Sequence, residues 1–309
     1  MTASNTPHDE STYRPGGPPP RGAHPEGLLD GHLDSTAQLM NRITSQLGSQ
    51  LSLVSLNGTR RPAPPALVLV AHGSRDPRTL ATVRSLVERV RELRPHLPVR
   101  LGHIELNEPL LPDTLAALSA GDAVLVPLLL SRGYHVKQDI PEAVAAAPHL
   151  RARVAAPLGP HPLLAETLYA RLVEAGWRTR TSEAARRASG VVLAAAGSRD
   201  PDSAVDTRRT AHLLAERLGV PVVPAYASAA SPTVPAAVRA LTARGRHRIA
   251  VASYFTAPGR FATQCAEAAP WIAAGPLGDH PAMARLVLHR YDQAVAASGT
   301  VTERALTPA

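Results

Sequence analysis

The sequence predicts an α/β protein built of two similar parallel-sheet lobes, and three observations predict it. Continuous apolar runs of strand length alternate with stretches of helical periodicity. A motif after one apolar run, Ala71-His72-Gly73-Ser74-Arg75-Asp76-Pro77, returns as Ala195-Ala196-Gly197-Ser198-Arg199-Asp200-Pro201, 124 residues on. A second pair, Leu158-Gly159-Pro160-His161-Pro162 and Leu277-Gly278-Asp279-His280-Pro281, repeats at an offset of 119. Two matches at similar offsets argue for internal duplication.

In chain order, residues 1–65 are rich in Pro, Gly, Ser and Asn and read as a mobile extension. Within it, Leu39, Ile43, Leu47, Leu51 and Val54 recur at near-helical spacing, which predicts a short docking helix over 39–54. The first strand is the apolar run 66–71, of the kind a parallel strand buried on both faces needs. Asp76-Pro77 then supplies a helix cap and a first-turn proline. Leu80, Val83, Leu86, Val87, Val90 and Leu93 trace the apolar face of that helix, and Pro95 and Pro98 end it. Further strands are expected at 99–106, 124–130 and 153–157, with helices at 110–118, 140–147 and 163–175 between and after them. The order strand, helix, strand implies right-handed crossovers. The resulting division is an extension over 1–65, a first lobe over 66–178, a polar arginine-rich linker over 179–189, a second lobe over 190–296 and a flexible tail over 297–309.

Composition removes several classes of function. Of 309 residues 44% are hydrophobic, enough for a core, yet the longest apolar runs stop far short of the roughly 20 residues of a membrane span. The first residues lack a secretory pattern, which makes the cytoplasm the expected address. A single cysteine, Cys265, excludes internal disulfides and thiolate clusters, so any metal must use His and carboxylate. The net charge of +8 is carried almost wholly by arginine spread along the chain without interleaved aromatics. That distribution argues against nucleic acid and for an anionic small molecule.

In sheets of this kind, ligands bind at the carboxyl ends of the strands. Three residues stand there in the first half: His72 after the first strand, Glu105 at the end of the second and His135 after the third. They are spaced 33 and 30 residues apart, about one βα unit each, so neighbouring strand ends can bring them together. Two imidazoles and a carboxylate suit a divalent first-row metal in an open site. The aligned positions of the second half are Ala196, Ser228 and Phe261, whereas the scaffold residues Gly197 to Pro201 persist. Joint loss of all three candidates marks a dead second site. Ser74 and Ser198, beside Asp76 and Asp200, read as helix caps, and Gly73 and Gly197 as residues of the strand-to-helix turn. His161 and His280 recur in both halves and so take a structural role. His103 reads as an outward strand residue.

Val70-Ala71-His72-Gly73-Ser74-Arg75-Asp76-Pro77, Glu105-Leu106-Asn107-Glu108-Pro109 and Pro127-Leu128-Leu129-Leu130-Ser131-Arg132-Gly133-Tyr134-His135-Val136 resemble the sirohydrochlorin chelatase family, the class II chelatases. The resemblance covers about 66–296. It implies two α/β lobes facing across a cleft and a lyase-class enzyme that inserts Fe²⁺ or Co²⁺ into sirohydrochlorin on the way to sirohaem or cobalamin. The metal is then a substrate, and no tightly bound cofactor is implied. His72 and His135 resemble the metal-binding histidines and Glu105 their acidic partner, with ligand and base left unassigned between the two imidazoles. The substrate carries eight carboxylates, which makes Arg75, Arg132, Lys137, Arg199 and Arg260 candidate anion contacts, with Ser74 and Tyr134 beside them. The partners implied are the tetrapyrrole and another enzyme of tetrapyrrole synthesis that receives the product. A noncatalytic metal or tetrapyrrole carrier on the same fold is the alternative.

Overall fold

The computed structural model describes residues 63–305. The helix expected over 39–54, and nearly all of the expected extension, lie outside the described residues. The first lobe runs β1 (Ala66–Ala71), α1 (Pro77–Leu93), β2 (Val99–His103), α2 (Leu111–Ala116), β3 (Gly121–Pro127), α3 (Tyr134–Lys137), α4 (Asp139–Ala145), β4 (Leu150–Val154) and α5 (Pro162–Glu174). A linking helix α6 (Glu183–Ala188) leads to the second lobe: β5 (Ser189–Ala195), α7 (Pro201–Leu218), β6 (Val222–Tyr226), α8 (Val234–Thr242), β7 (Arg248–Tyr254), α9 (Arg260–Glu267), β8 (Ile272–Ala273) and α10 (Pro281–Ala305). Both sheets are parallel, in the orders β2-β1-β3-β4 and β6-β5-β7-β8, so the duplication read from the motifs is one of topology as well.

Each lobe follows from its pattern. Every residue of β5 is buried, as a central parallel strand with helices on both faces must be. Asp76 caps α1 by accepting from the Arg78 amide at 2.9 Å, and Asp200 caps α7 through the Asp202 amide at 3.0 Å. Val83, Leu86, Val87 and Val90 form the buried stripe of α1, but Leu93, expected on that face, is 52% exposed at its last turn.

Several boundaries differ from the sequence expectation. β2 stops at His103, three residues early, because Leu106 takes a left-handed φ of 67° and Asn107 closes a turn on the Glu105 carbonyl at 2.8 Å. β3 spans 121–127 rather than 124–130. The apolar run continues past the strand because Leu128 is covered by the other lobe's side of the core, and its carbonyl accepts from Thr256 at 3.1 Å. β4 is shifted three residues earlier than expected, pairing Leu150 with Gly121. The expected linker contains α6, capped by the Ser182 hydroxyl, and its last residue already belongs to β5. The expected tail from 297 is helical to Ala305. One glycine, Gly299, costs a helix only about 1 kcal/mol and does not end it.

The described residues from Pro64 onward form one compact unit. A single apolar cluster runs through both lobes, with Leu86, Val90, Leu164 and Leu168 of the first beside Leu214, Met283, Leu286 and Val287 of the second. Helix α1 lies on α10 and α5 on α7, which is the same pairing seen from either lobe. Where the carboxyl ends of the two sheets meet, the buried Tyr254 hydroxyl donates to the Leu130 carbonyl at 2.8 Å and lies 3.1 Å from the Thr210 hydroxyl. Burial pushes that phenol well above its usual range, which keeps it a donor. Among the described residues, no helix is long and apolar enough to cross a membrane.

Candidate active site

His72 is the first residue beyond β1. The loop beyond β2 is stitched to it in parallel-sheet fashion: the Ile104 amide donates to the Ala71 carbonyl at 2.9 Å and the Glu105 amide to the His72 carbonyl at 3.0 Å. Asn107 completes the join by accepting from the Ser74 amide at 2.7 Å. Between them, Gly73 has a φ of +105°, and a Cβ there would run into the Glu105 carbonyl. Only glycine permits this approach.

These joins bring the three expected residues together. The His72 Nδ1 lies 3.5 Å from a Glu105 carboxylate oxygen. The rings of His72 and His135 meet edge to face, with centroids 4.7 Å apart and planes at 89°. His135 sits in the single turn α3, which begins after the extended Gly133. All three side chains are partly exposed. Among the described residues, no group of three His, Cys, Asp or Glu side chains is drawn into metal-ligand geometry. The trio is therefore gathered but open.

One residue was missed by sequence reasoning. The Asp139 carboxylate pairs with His135 Nδ1. Its signal was the four-residue step from His135 to Asp139, which sets two side chains one turn apart. An ionised carboxylate can only accept, so Nδ1 of His135 carries a proton in this contact. His72 follows the same logic more weakly: its Nδ1 lies 3.2 Å from the Gly73 carbonyl, an acceptor too. Both imidazoles thus commit Nδ1 to an acceptor.

Surrounding residues divide sharply. Tyr134 is 66% exposed with its ring 6.2 Å from that of His135, and Leu106 is 51% exposed next to Glu105. They give the site an apolar rim. Arg75 is exposed and makes no ion pair with any described residue. Arg132 and Lys137, both expected beside the substrate, are already paired with carboxylates. The Arg132 guanidinium binds the buried Asp206 at 2.7 and 3.0 Å, and Lys137 binds Asp200 at 2.6 Å and Asp202 at 3.0 Å. Both are neutralised by carboxylates of α7 and its cap, and they tie the lobes together. Ser74 likewise faces its own turn, its hydroxyl accepting from the Asp76 amide at 3.1 Å. Arg199 is exposed without an ion pair among the described residues, and Arg260 lies 4.8 Å from the Phe261 ring.

The second lobe repeats the backbone joins of this turn without the His and Glu side chains. The Ser228 amide donates to the Ala196 carbonyl at 3.0 Å, as Glu105 does to His72. Gly197, at φ +90°, would collide with the Ser228 carbonyl, and α9 begins after Gly259 with Phe261 in the place of His135. His161 and His280 are helix caps: each Nδ1 accepts an amide, from Leu163 at 3.1 Å and Ala282 at 3.2 Å. Accepting there requires the neutral ring. Burial first, then the Arg290 charge, pushes His161 down to about 4, and burial also lowers His280. His103 is not outward as expected: it is 2% exposed, with Nδ1 3.2 Å from the Pro109 carbonyl.

Paired α/β lobes sharing one core, one lobe bearing an open imidazole–carboxylate site and the other its empty copy, define a duplicated scaffold with one-sided chemistry. The CbiX family profile matches residues 66–175 and 190–294, one lobe each, and the chain belongs to that family. A sirohydrochlorin cobaltochelatase of Priestia megaterium is 28% identical over 203 residues, 63% of this chain and 65% of its own. A sirohydrochlorin ferrochelatase of Bacillus subtilis is 29% identical over 178 residues, 54% of this chain and 64% of its own. A sirohydrochlorin cobaltochelatase of Methanococcus aeolicus is 39% identical over 80 residues, 25% of this chain and 56% of its own. The matched segments span less than two thirds of these relatives' lengths. The solved structure of SirB from Bacillus subtilis with Fe³⁺ is similar in fold, with a TM-score of 0.61 at 23% identity over 76% of this chain and 98% of its own.

Proposed function

We propose that this chain is a sirohydrochlorin chelatase, a lyase-class enzyme that inserts Fe²⁺ or Co²⁺ into sirohydrochlorin. The observation that carries the reading is the meeting of His72 and His135, edge to face, beside Glu105 at the carboxyl edge of the first sheet only. The names of the curated relatives support the substrate and both metals.

Insertion exchanges one M²⁺ for two pyrrole N–H protons. The site needs a group that releases the ion and groups that accept protons near neutral pH. Nε2 of either imidazole suits both tasks. Asp139 stabilises His135 if that ring becomes imidazolium, and Glu105 offers a second proton acceptor beside His72. The exposed Tyr134 and Leu106 rim is a flat apolar seat for the macrocycle, and Arg75, Arg199 and Arg260 are the cations left for its carboxylates. The setting we assign is the cytoplasm, with the metallated product passing to another enzyme of tetrapyrrole synthesis.

Anaerobic titration of sirohydrochlorin, followed by absorbance with Fe²⁺ and Co²⁺ in turn, tests the reading. The parent converts the spectrum catalytically, while His135→Ala binds the macrocycle with similar affinity but turns over at least 100-fold more slowly. Stoichiometric spectral shifts without turnover by the parent would show a carrier instead.

A further inference from the structure

A second cavity lies far from the histidines, at the amino ends of the second lobe's strands, and its chemistry is unlike theirs. It encloses about 360 Å³ between the end of α5, the linker and the start of β7. Five arginines line it, Arg178, Arg180, Arg186, Arg217 and Arg248, and no carboxylate does. None of the five makes an ion pair with a described residue, in a protein where Arg132, Arg94 and Arg151 are all matched to aspartates.

Three of the five are held in place. Arg217 lies 3.8 Å from the Tyr169 ring centroid, Arg248 lies 4.3 Å from that of Trp271, and Arg186 donates to the Gly219 carbonyl. Trp271 in turn packs on the buried Trp177, with ring centroids 5.7 Å apart. Arg246 fixes the wall behind by donating to the Arg186 and Ser189 carbonyls at 3.0 Å each. The remaining two, Arg178 and Arg180, are exposed at the mouth. Guanidiniums stay charged at every physiological pH, so five around one small cavity repel one another until an anion enters. Much of the wall, from Trp177 to Ser189, falls in the interval 176–189 between the two family-matched segments. The cavity is thus built jointly by this chain's join and by residues of both lobes, Tyr169 of the first and Arg217, Arg248 and Trp271 of the second.

We propose that this pocket binds an oligophosphate group. Converging forks from several directions suit tetrahedral, multiply charged phosphates better than a single planar carboxylate. Prepositioning by the aromatic rings removes part of the ordering cost of binding.

Calorimetric titration of the full chain, free of metal and at fixed ionic strength, tests this with sodium pyrophosphate, adenosine diphosphate and citrate. Pyrophosphate or the nucleotide is expected to bind, and the pair Arg178→Ala/Arg180→Ala to weaken it at least tenfold while melting at the parent's temperature. Tighter binding of the nucleotide would assign the group to a nucleotide, and equal affinity to free oligophosphate. Failure of both to bind, undiminished binding by the alanine pair, or citrate bound as tightly as pyrophosphate would overturn the proposal. Metal insertion at the histidines is measured separately, so the two readings fail independently.

Discussion

His135 draws its usefulness from the residue four positions on. Asp139 holds Nδ1 of His135, so Asp139→Asn keeps the size of the side chain but removes the charge that favours an imidazolium. Insertion is expected to slow by about 10- to 100-fold with macrocycle affinity unchanged, as steady-state rates and a binding titration would read. The other telling histidine is a cap. His161 must be neutral to accept the Leu163 amide, and its pKa falls from the ordinary 6.5 to about 4 on folding. The unfolded chain therefore binds the proton first, and this contribution to stability is full above pH 6.5 and drains away as pH falls toward 4. His161→Asn retains a cap without titrating over that range, so its denaturation midpoint should change less between pH 7 and 5 than the parent's. Equal changes would contradict the assignment. The trio was legible because strand ends are where such chemistry collects. Asp139 was not, because it acts through His135 on a short helix that no apolar periodicity announces.

At the scale of the element, strands and long helices were readable from their apolar runs, and the misplaced end of β3 has a clear cause. An apolar residue signals burial, not the partner that buries it. Leu128 and Leu130 extend a strand-like run, but the second lobe claims them once β3 has ended. The turn after β1 was better specified, since Gly73 and Gly197 each admit a carbonyl where a Cβ would stand. Substituting either by alanine should cost roughly 1–3 kcal/mol in denaturant unfolding, through strain at positive φ. The consequences for activity then separate. Gly73→Ala displaces Glu105 from His72 and should cut insertion at least tenfold, whereas Gly197→Ala disturbs a loop that carries Ala196 and Ser228. Per folded molecule, the second variant should keep the parent rate. The ion pairs of Arg132 and Lys137 were not legible, because sequence gives their charge but not the aspartates of α7 and its cap that meet them.

For the whole molecule, the two duplicated lobes share one apolar core. Asp206, almost wholly buried, takes its charge partner from the other lobe. Arg132→Ala leaves that carboxylate without its cation and should cost about 1–3 kcal/mol while unfolding stays a single transition, since one core spans both lobes. Two separated transitions would show the lobes to be independent. On the proposed reading, the first lobe supplies the chemistry. The most direct measurement of that division is the initial rate of metal insertion into sirohydrochlorin by His72→Ala/His135→Ala against the parent, under anaerobic conditions with Fe²⁺ and with Co²⁺. The account predicts conversion indistinguishable from the uncatalysed background for the double variant with either metal. Conversion at the parent's rate would place the chemistry elsewhere in the molecule and contradict it.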